Sequence, residues 1–272
     1  MTKEWPKRLL LVGAGKMGGA MAAGWLEGGL EASALTILEP NPSEEIVRLS
    51  ASRGVALNPG EPSEPDVLAL AVKPQSLDAV APQIAQLAGG RTLVLSILAG
   101  KTIANLRERL PNAQAVVRAM PNTPAAIGRG VTAAFASPEA SPEQRRWTEA
   151  LLGAVGAFHW LDDEAAIDAV TAISGGGPAY VFALTEALAA AGEALGLPPE
   201  LSMHLARGTV EGAGELMRRE EGTPPSVLRR NVTSPGGTTA AALAVLQGEG
   251  GLDALMARAT ASARMRAREM AG

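Results

Sequence analysis

Residues 9–18 read Leu9-Leu10-Leu11-Val12-Gly13-Ala14-Gly15-Lys16-Met17-Gly18, an apolar run followed at once by a glycine-rich turn. The apolar run has the length of a buried strand, and residues 17–26 have the apolar spacing of a helix. A Gly-x-Gly-x-x-Gly turn between a strand and a helix is typical of a dinucleotide site, because backbone amides at the helix N-terminus face a pyrophosphate. The alternative is a glycine turn without a ligand. The cofactor-binding residues predicted here are Gly13, Ala14, Gly15, Lys16, Met17 and Gly18.

Further short apolar runs follow at residues 35–38, 67–72, 93–97 and 115–118, separated by segments with helical spacing. This alternation predicts a parallel sheet with helices on both faces. Two more runs, at residues 131–136 and 157–160, flank a helix expected to begin at Ser141 and should extend the far edge of the sheet. After Asp162 the strand-like runs disappear. The sequence therefore predicts an α/β protein, with a Rossmann-like domain over residues 1–161 and an all-helical domain over residues 162–272.

Composition narrows the classes of partner and chemistry. The formal charge of −4 gives no overall field that would attract nucleic acid or an anionic membrane. The chain has no cysteine, which excludes disulfides and thiolate metal sites, and its two histidines cannot by themselves form a typical zinc site. Its first residues hold no apolar run long enough to cross a bilayer. We expect a cytoplasmic protein with no nucleic-acid or membrane partner and no metal.

The end of the second predicted strand bears on the adenosine side of a dinucleotide. Glu39 stands there, where an acidic side chain typically receives the ribose hydroxyls, and this would favour NADH. Asn41 and Ser43 could instead bond a 2′-phosphate, with Arg48 further along, and Glu39 could point away. Helix capping by Asn41 or Ser43 is a third interpretation. The sequence leaves these open, with Glu39 and Asn41 as candidate cofactor contacts.

Two other turns follow buried strands on the carboxyl side of the sheet, where ligands of open α/β folds bind. One reads Ala71-Val72-Lys73-Pro74, and it supplies one cation unless Lys73 simply marks a strand leaving the core. The other reads Met120-Pro121-Asn122-Thr123-Pro124-Ala125. Its two prolines restrict the backbone and hold Asn122 in place, either for a ligand or as a plain rigid turn.

The helical half contains two segments that interrupt its helical pattern. Ser174-Gly175-Gly176-Gly177-Pro178-Ala179-Tyr180 is rich in glycine, which suits a close backbone approach or a helix junction. Val232-Thr233-Ser234-Pro235-Gly236-Gly237-Thr238-Thr239 precedes the helical residues 240–246. Its hydroxyls and unpaired amides would suit a carboxylate, and the alternative is an ordinary helix start.

The five quoted segments together resemble the pyrroline-5-carboxylate reductase family, and the resemblance covers nearly the whole chain. It implies NADPH- or NADH-dependent reduction of 1-pyrroline-5-carboxylate to L-proline, the last step of proline biosynthesis. It also implies that the helical domain forms a homodimer or a multiple of dimers. In the family the glycine-rich segment usually reads Ser-Gly-Ser-Gly-Pro-Ala-Tyr, so Gly176 replaces a serine and puts a direct serine contact there in doubt.

The resemblance also implies roles for particular residues. Cofactor contacts would include Ala71, Val72, Lys73, Pro74 and Asn122, with Lys73 near the nicotinamide ribose and Asn122 near the nicotinamide. The substrate carboxylate would be bound by Ser234, Gly237, Thr238 and Thr239. Thr239 would also be the catalytic residue, with its hydroxyl beside the ring nitrogen.

A protonated imine is already electrophilic, so orientation and one hydroxyl at nitrogen can suffice for its reduction. His159 and His204 are accordingly interpreted as structural. Two alternative classes are disfavoured. A β-hydroxyacid dehydrogenase would need a lysine in its helical domain, and no lysine follows Lys101. A regulator that binds NAD(P) without turnover is disfavoured by the loop at residues 234–239.

Overall fold

The computed structural model describes residues 4–271, which form two compact units. The first unit extends through Gly176 and includes the end of the chain from Ala263 onward, and the second is Gly177–Ser262. The division predicted between residues 161 and 162 follows the last strand of the sheet, whereas the compact units divide one helix later. The predicted domain boundary stays a prediction.

An eight-stranded sheet organises the first unit, in the order β3-β2-β1-β4-β5-β6-β7-β8. Neighbouring strands are parallel except β6 and β7, which pair antiparallel. The chain turns back there because the 3₁₀ turn Thr123–Ile127 is too short for a crossover helix. The strands are β1 Leu9–Val12, β2 Leu35–Leu38, β3 Ala56–Leu57, β4 Val67–Leu70, β5 Leu93–Ser96, β6 Ala115–Met120, β7 Gly130–Ala136 and β8 Gly156–Trp160.

Among the described residues, six α-helices lie wholly within this unit, and two of them start with reciprocal caps. The Ser141 hydroxyl accepts from the Gln144 amide while the Gln144 side chain accepts from the Ser141 amide, which fixes the helix start predicted at Ser141. Thr102 and Asn105 form the same arrangement. The helices are α1 Lys16–Glu27, α2 Glu44–Arg53, α3 Leu77–Ile84, α4 Ile103–Arg109, α5 Pro142–Gly153 and α6 Ala166–Val170.

The core of this unit lies on both faces of the sheet. Leu9 and Leu11 belong to one buried cluster and Leu10 and Val12 to the other, because successive strand residues point to opposite faces. Trp25 of α1 is fully buried in the first cluster and donates its indole N–H to the Leu151 carbonyl at 2.9 Å. The continuous apolar runs at β1, β4 and β5 are therefore strands covered on both faces, as predicted.

A buried arginine joins several elements of the first unit. Arg118, on β6, is 3% exposed, and its guanidinium lies 3.2 Å from Glu164 and 3.6 Å from Asp168. The Glu164 carboxylate also accepts from the Ile103 amide at the start of α4. Arg268, near the end of the chain, contacts Asp168 at 3.6 Å. This group of residues, here called the Arg118 cluster, anchors the start of α6 to the sheet.

The second unit contains only helices among its described elements: α7 Gly177–Ala194, α8 Pro199–Arg219, α9 Pro225–Asn231, α10 Thr238–Leu246 and the first part of α11 Leu252–Ala271. α7 packs on α8 through small residues, with Ala189, Ser202 and Ala206 each 2% exposed. At Gly192 a Cβ would lie 2.9 Å from the Ser202 hydroxyl oxygen. Only 3% of the residues in the chain are aromatic, and small side chains such as these permit a close helix pair.

Candidate active site

The glycine turn lies at the switch point of the sheet. β1 is flanked by β2 on one side and β4 on the other, so the crossover from β1 to β2 and the crossover from β3 to β4 run in opposite directions across the sheet. Ligands of open α/β sheets bind in the crevice that this arrangement opens at the carboxyl ends of the strands. Gly13 follows β1 with φ of +92° and donates its amide to the Leu38 carbonyl at 2.9 Å. The predicted motif therefore occupies the expected place.

The three motif glycines have different surroundings. A Cβ at Gly13 would lie 2.7 Å from the carbonyl carbon of Ala71, and one at Gly18 would lie 2.1 Å from the Gly13 carbonyl oxygen. Both glycines are thus required by packing. Around the Cβ position of Gly15 nothing lies within 4 Å. Gly15 also precedes α1 without any side-chain cap, so open space and free helix amides coincide where a pyrophosphate would approach.

The Cβ position of Gly15 is open, whereas those of Gly13 and Gly18 are blocked by backbone atoms. We therefore predict that Gly15→Ala folds normally but binds a dinucleotide weakly. The backbone of Gly15, with φ of −66°, suits alanine, yet the new methyl enters the open space. We expect at least about a tenfold rise in the dissociation constant for NADH or NADPH, about 1.4 kcal/mol of binding free energy. Calorimetric titration measures it, with thermal melting to check the fold. Gly153→Ala is the matched control, because its Cβ position in α5 is also open. Unchanged affinity in Gly15→Ala would contradict this assignment.

Glu39 directs its carboxylate at the glycine turn. One carboxylate oxygen accepts from the Ala14 amide at 2.9 Å and the other from the Asn41 amide at 3.0 Å. The Glu39 backbone is held as well, because its N–H donates to the Asn58 side-chain oxygen and its carbonyl accepts from the Asn58 side-chain amide, both at 2.8 Å. Asn58 is the one non-glycine residue with positive φ, +48°, in the part of the chain that the structure describes. Asn58 is not among the residues predicted from the sequence, although the Asn58-Pro59-Gly60 turn was a local signal.

The residues after Glu39 have other structural partners. Ser43 caps α2 by accepting from the Ile46 amide at 3.3 Å, as the capping interpretation predicted. Arg48 donates to the Glu44 carbonyl at 3.2 Å and to the Glu44 carboxylate at 3.5 Å, and both side chains are largely exposed. Asn41 is exposed beside them. The first turn of α2 therefore presents two carboxylates, Glu44 and Glu45.

The turn after β4 closes the other side of the glycine motif. The strand ends at Leu70, and Ala71 packs against Gly13 and Gly18 while its amide donates to the Val12 carbonyl at 2.8 Å. Val72 follows, and the exposed Lys73 precedes the 3₁₀ turn Pro74–Ser76. Within residues 4–271 Lys73 forms no ion pair. Its cation therefore stands free at the carboxyl edge, as a phosphate or ribose contact would require.

Asn122 occupies a structural position at the same edge of the sheet. It is 8% exposed, its side-chain oxygen accepts from the Val131 amide at 2.8 Å, and its side-chain amide donates to the Ser174 carbonyl at 3.2 Å. The side chain thus ties the turn after β6 to β7 and to the π-helical turn Thr171–Gly175. The rigid turn considered from the sequence is present. A contact with the nicotinamide stays a prediction.

The glycine-rich segment forms a helix junction, which is one of the two interpretations of its sequence. Gly176 has helical dihedral angles, and its amide donates to the Thr171 carbonyl at 2.9 Å, five residues back. α7 begins at the next residue. Gly176, at the position of the family's serine, therefore lies between the π-helical turn and α7.

The 234–239 loop of the second unit presents an exposed turn followed by a helix N-terminus. The Gly237 amide donates to the Ser234 carbonyl at 3.1 Å, and Gly236 between them has φ of +70°, the pattern of a type II turn. Gly237 is the N-cap of α10 and has no side chain with which to cap it. Ser234, Thr238 and Thr239 are exposed or partly exposed. The uncapped amides at the start of α10 and the hydroxyls of Ser234, Thr238 and Thr239 thus lie within six residues of one another.

A glycine turn at the switch point of a parallel sheet, with a separate helical unit that carries an anion-binding type of loop, defines a dinucleotide-dependent oxidoreductase. The chain is 39% identical over 266 residues to the pyrroline-5-carboxylate reductase of Pseudomonas aeruginosa, covering 97% of both chains. It is 45% identical over 203 residues to the enzyme of that name from Synechocystis, covering 74% of this chain and 72% of that one. The chain belongs to the pyrroline-5-carboxylate reductase family.

Family models and solved structures agree with this assignment. Residues 8–100 match the model described as NADP oxidoreductase, coenzyme F420-dependent, and residues 164–270 match the model described as pyrroline-5-carboxylate reductase dimerisation. The Coxiella burnetii pyrroline-5-carboxylate reductase structure superposes with a TM-score of 0.88 at 32% identity, covering 98% of this chain and 99% of that one. The Plasmodium falciparum enzyme with NADP bound gives 0.80 at 27% identity, covering 97% and 98%. The predicted fold class is confirmed.

Proposed function

We propose that this protein is a pyrroline-5-carboxylate reductase, which reduces 1-pyrroline-5-carboxylate to L-proline with NADPH or NADH. The observation that carries the proposal is the exposed 234–239 loop, with its uncapped helix N-terminus, in a chain of this family. The substrate is a small cyclic imine with one carboxylate. A helix N-terminus with free amides is a suitable site for such an anion.

The residues of the 234–239 loop have two roles in this proposal, binding of the substrate carboxylate and hydrogen bonding to the ring nitrogen. Ser234, Gly237 and Thr238 bind the substrate carboxylate through hydroxyls and backbone amides, and Thr239 also contributes. The Thr239 hydroxyl additionally hydrogen-bonds the ring nitrogen and supports its protonation. Because a protonated imine is already electrophilic, the protein needs no stronger acid at this point. No histidine or carboxylate is assigned a proton-transfer role.

The first unit holds the dinucleotide. The predicted contacts are Gly13, Ala14, Gly15, Lys16, Met17, Gly18, Glu39, Asn41, Ala71, Val72, Lys73, Pro74 and Asn122. Support comes from the open space at Gly15, the free cation at Lys73 and the direction of the Glu39 carboxylate. When bound, the nicotinamide supplies the hydride for the C=N carbon.

We further propose that the second unit mediates self-association as a homodimer or a multiple of dimers. Its helices expose large apolar side chains, among them Phe182 at 63% and Leu184 at 55%, and its residues match the dimerisation model. Such a concentration of exposed apolar residues marks an interaction surface. The helical stretch Ala166–Ala194 is also apolar and long enough to cross a membrane by length and composition alone. We assign its exposed face to a second copy of the chain, with neither membrane nor nucleic acid as partner and the cytoplasm as location.

Self-association predicts a particle mass of at least twice the chain mass of 27.8 kDa. Sedimentation velocity across a range of protein concentrations measures it. The same run in the presence of phosphatidylcholine vesicles tests the membrane alternative, because a protein that enters membranes would co-sediment with them. A monomeric protein that sediments with vesicles would contradict this proposal.

The activity is tested by mixing the purified protein with 1-pyrroline-5-carboxylate and either NADPH or NADH. Loss of nicotinamide absorbance together with formation of proline is the expected result, and kcat/KM compares the two cofactors. Tight nucleotide binding without turnover would instead favour a nucleotide-sensing regulator. A β-hydroxyacid dehydrogenase is disfavoured, because it would need a lysine in the helical domain and none follows Lys101.

A further inference from the structure

The Glu39 carboxylate is fixed at the position that decides between the two nicotinamide dinucleotides. An acidic side chain at the end of the second strand of such a sheet receives the ribose hydroxyls of NADH, whereas NADPH carries a phosphate there. We propose that Glu39 makes this protein selective for NADH over NADPH. The proposal rests on the proposed function only in taking the first unit as the dinucleotide-binding unit.

Glu39 cannot easily turn aside to admit a phosphate. Both of its carboxylate oxygens accept backbone amides, from Ala14 in the glycine turn and from Asn41 in the loop that follows β2. The two hydrogen bonds from and to Asn58 hold the backbone on either side. Rotation of the Glu39 side chain would leave the Ala14 amide without this acceptor, and a partly buried amide is costly to leave unpaired. The alternative in which Glu39 points away from the site is thus disfavoured.

The neighbouring charges act in the same direction. Glu44 and Glu45 open α2, and the guanidinium of Arg48 is already hydrogen-bonded to Glu44. Residues 39–48 therefore carry three carboxylates and a single cation, Arg48, which is already paired with Glu44. Lys16 lies in the glycine turn at the start of α1, where the pyrophosphate is expected instead. A 2′-phosphate would meet like charge without a free basic partner.

The experiment measures binding of the adenosine half alone, so it needs neither substrate nor turnover. ADP-ribose and its 2′-phosphate are titrated by calorimetry into the wild-type protein, and NADH and NADPH are titrated in parallel. We expect the probes without the 2′-phosphate to bind at least about tenfold more tightly, with a ratio that narrows as salt screens the carboxylates. Equal or tighter binding of the phosphorylated probes overturns the proposal without any variant.

Glu39→Gln then assigns the selectivity to this residue. Glutamine keeps one of the two acceptor oxygens, which can still receive the Ala14 amide, and it removes the charge. The ratio of dissociation constants should therefore fall toward one, chiefly through tighter binding of the phosphorylated probe. Glu31→Gln is the matched control, because it removes the same charge at the amino end of β2. Glu31 directly precedes the 3₁₀ turn Ala32–Ala34 that leads into this strand, whereas Glu39 follows the strand at its carboxyl end. An unchanged ratio in Glu39→Gln would overturn the role of Glu39. Selective binding of NADH without imine reduction would contradict the proposed function but not the selectivity assigned to Glu39. Binding of neither dinucleotide would contradict both.

Discussion

Thr239→Ala is expected to lower kcat about 100-fold while the dissociation constant of NADH or NADPH stays within about twofold. Thr239 is the second residue of α10, is exposed, and makes no side-chain hydrogen bond to another of the residues that the structure describes. Its hydroxyl therefore has no structural task in the single chain, and it is free to act on the ring nitrogen. Stopped-flow absorbance of the reduced nicotinamide measures the turnover, and calorimetry measures nucleotide binding.

Two further variants distinguish the contribution of the Thr239 hydroxyl to turnover from that of the side chain's shape. Thr239→Ser keeps the hydroxyl and should restore kcat to within a few-fold of the wild type, about 1 kcal/mol of barrier at most. Thr239→Val keeps the branched shape and should be as slow as the alanine variant. If turnover and nucleotide affinity instead fall equally in Thr239→Ala, or if valine substitutes for threonine, the assigned role is wrong.

The centre of the sheet could be predicted from the sequence because the strands β1, β4 and β5 are buried on both faces. Such strands appear as continuous apolar runs, and their positions followed within one or two residues. The direction of β7 could not be predicted, because an apolar run carries no information about which way it is paired. The two-residue strand β3 was missed for a different reason. It pairs only with β2 at the edge of the sheet and has too few residues to form a pattern.

Those parts of the site that depend on neighbouring residues could be predicted from the sequence, and those that depend on residues distant in the chain could not. The glycine turn is predictable because six consecutive residues determine its backbone, and Ser43 caps a helix as its local sequence suggested. The direction of the Glu39 carboxylate was open, because it depends on Ala14, which lies 25 residues earlier in the chain. The glycine-rich segment around Gly176 was open between a close backbone approach and a helix junction, because glycine suits both. The structure has a junction there, with the π-helical turn Thr171–Gly175 directly before α7.

The Arg118 cluster gives the largest expected effect on stability. Arg118→Met should lower the free energy of unfolding of the first unit by about 4 kcal/mol, because removing one partner of a buried ion pair leaves the other uncompensated. Glu164 would lose its only charged partner in the part of the chain that the structure describes, and Asp168 would keep only Arg268, at 3.6 Å. Methionine has nearly the length of the arginine stem, so the cavity left behind is small. Urea unfolding monitored by tryptophan fluorescence measures the change.

Arg268→Met is the matched control, since the same substitution removes a cation from the same Asp168 carboxylate at a site where the arginine side chain is 58% exposed. An exposed ion pair contributes little, and the expected loss is below about 1 kcal/mol. Similar losses in the two variants would mean that burial is not what makes Arg118 important.

A double variant tests the cause of the loss rather than its size. If Arg118→Met destabilises because the Glu164 carboxylate is left without a counterion, then neutralising that carboxylate should recover part of the stability. The glutamine that Glu164→Gln introduces can still accept the hydrogen bond from the Ile103 amide through its side-chain oxygen. We therefore expect the double variant Arg118→Met/Glu164→Gln to be more stable than Arg118→Met alone, by about 1 to 2 kcal/mol. A strictly additive loss would show that Arg118 acts through its packing and that the charge of Glu164 is irrelevant to the fold.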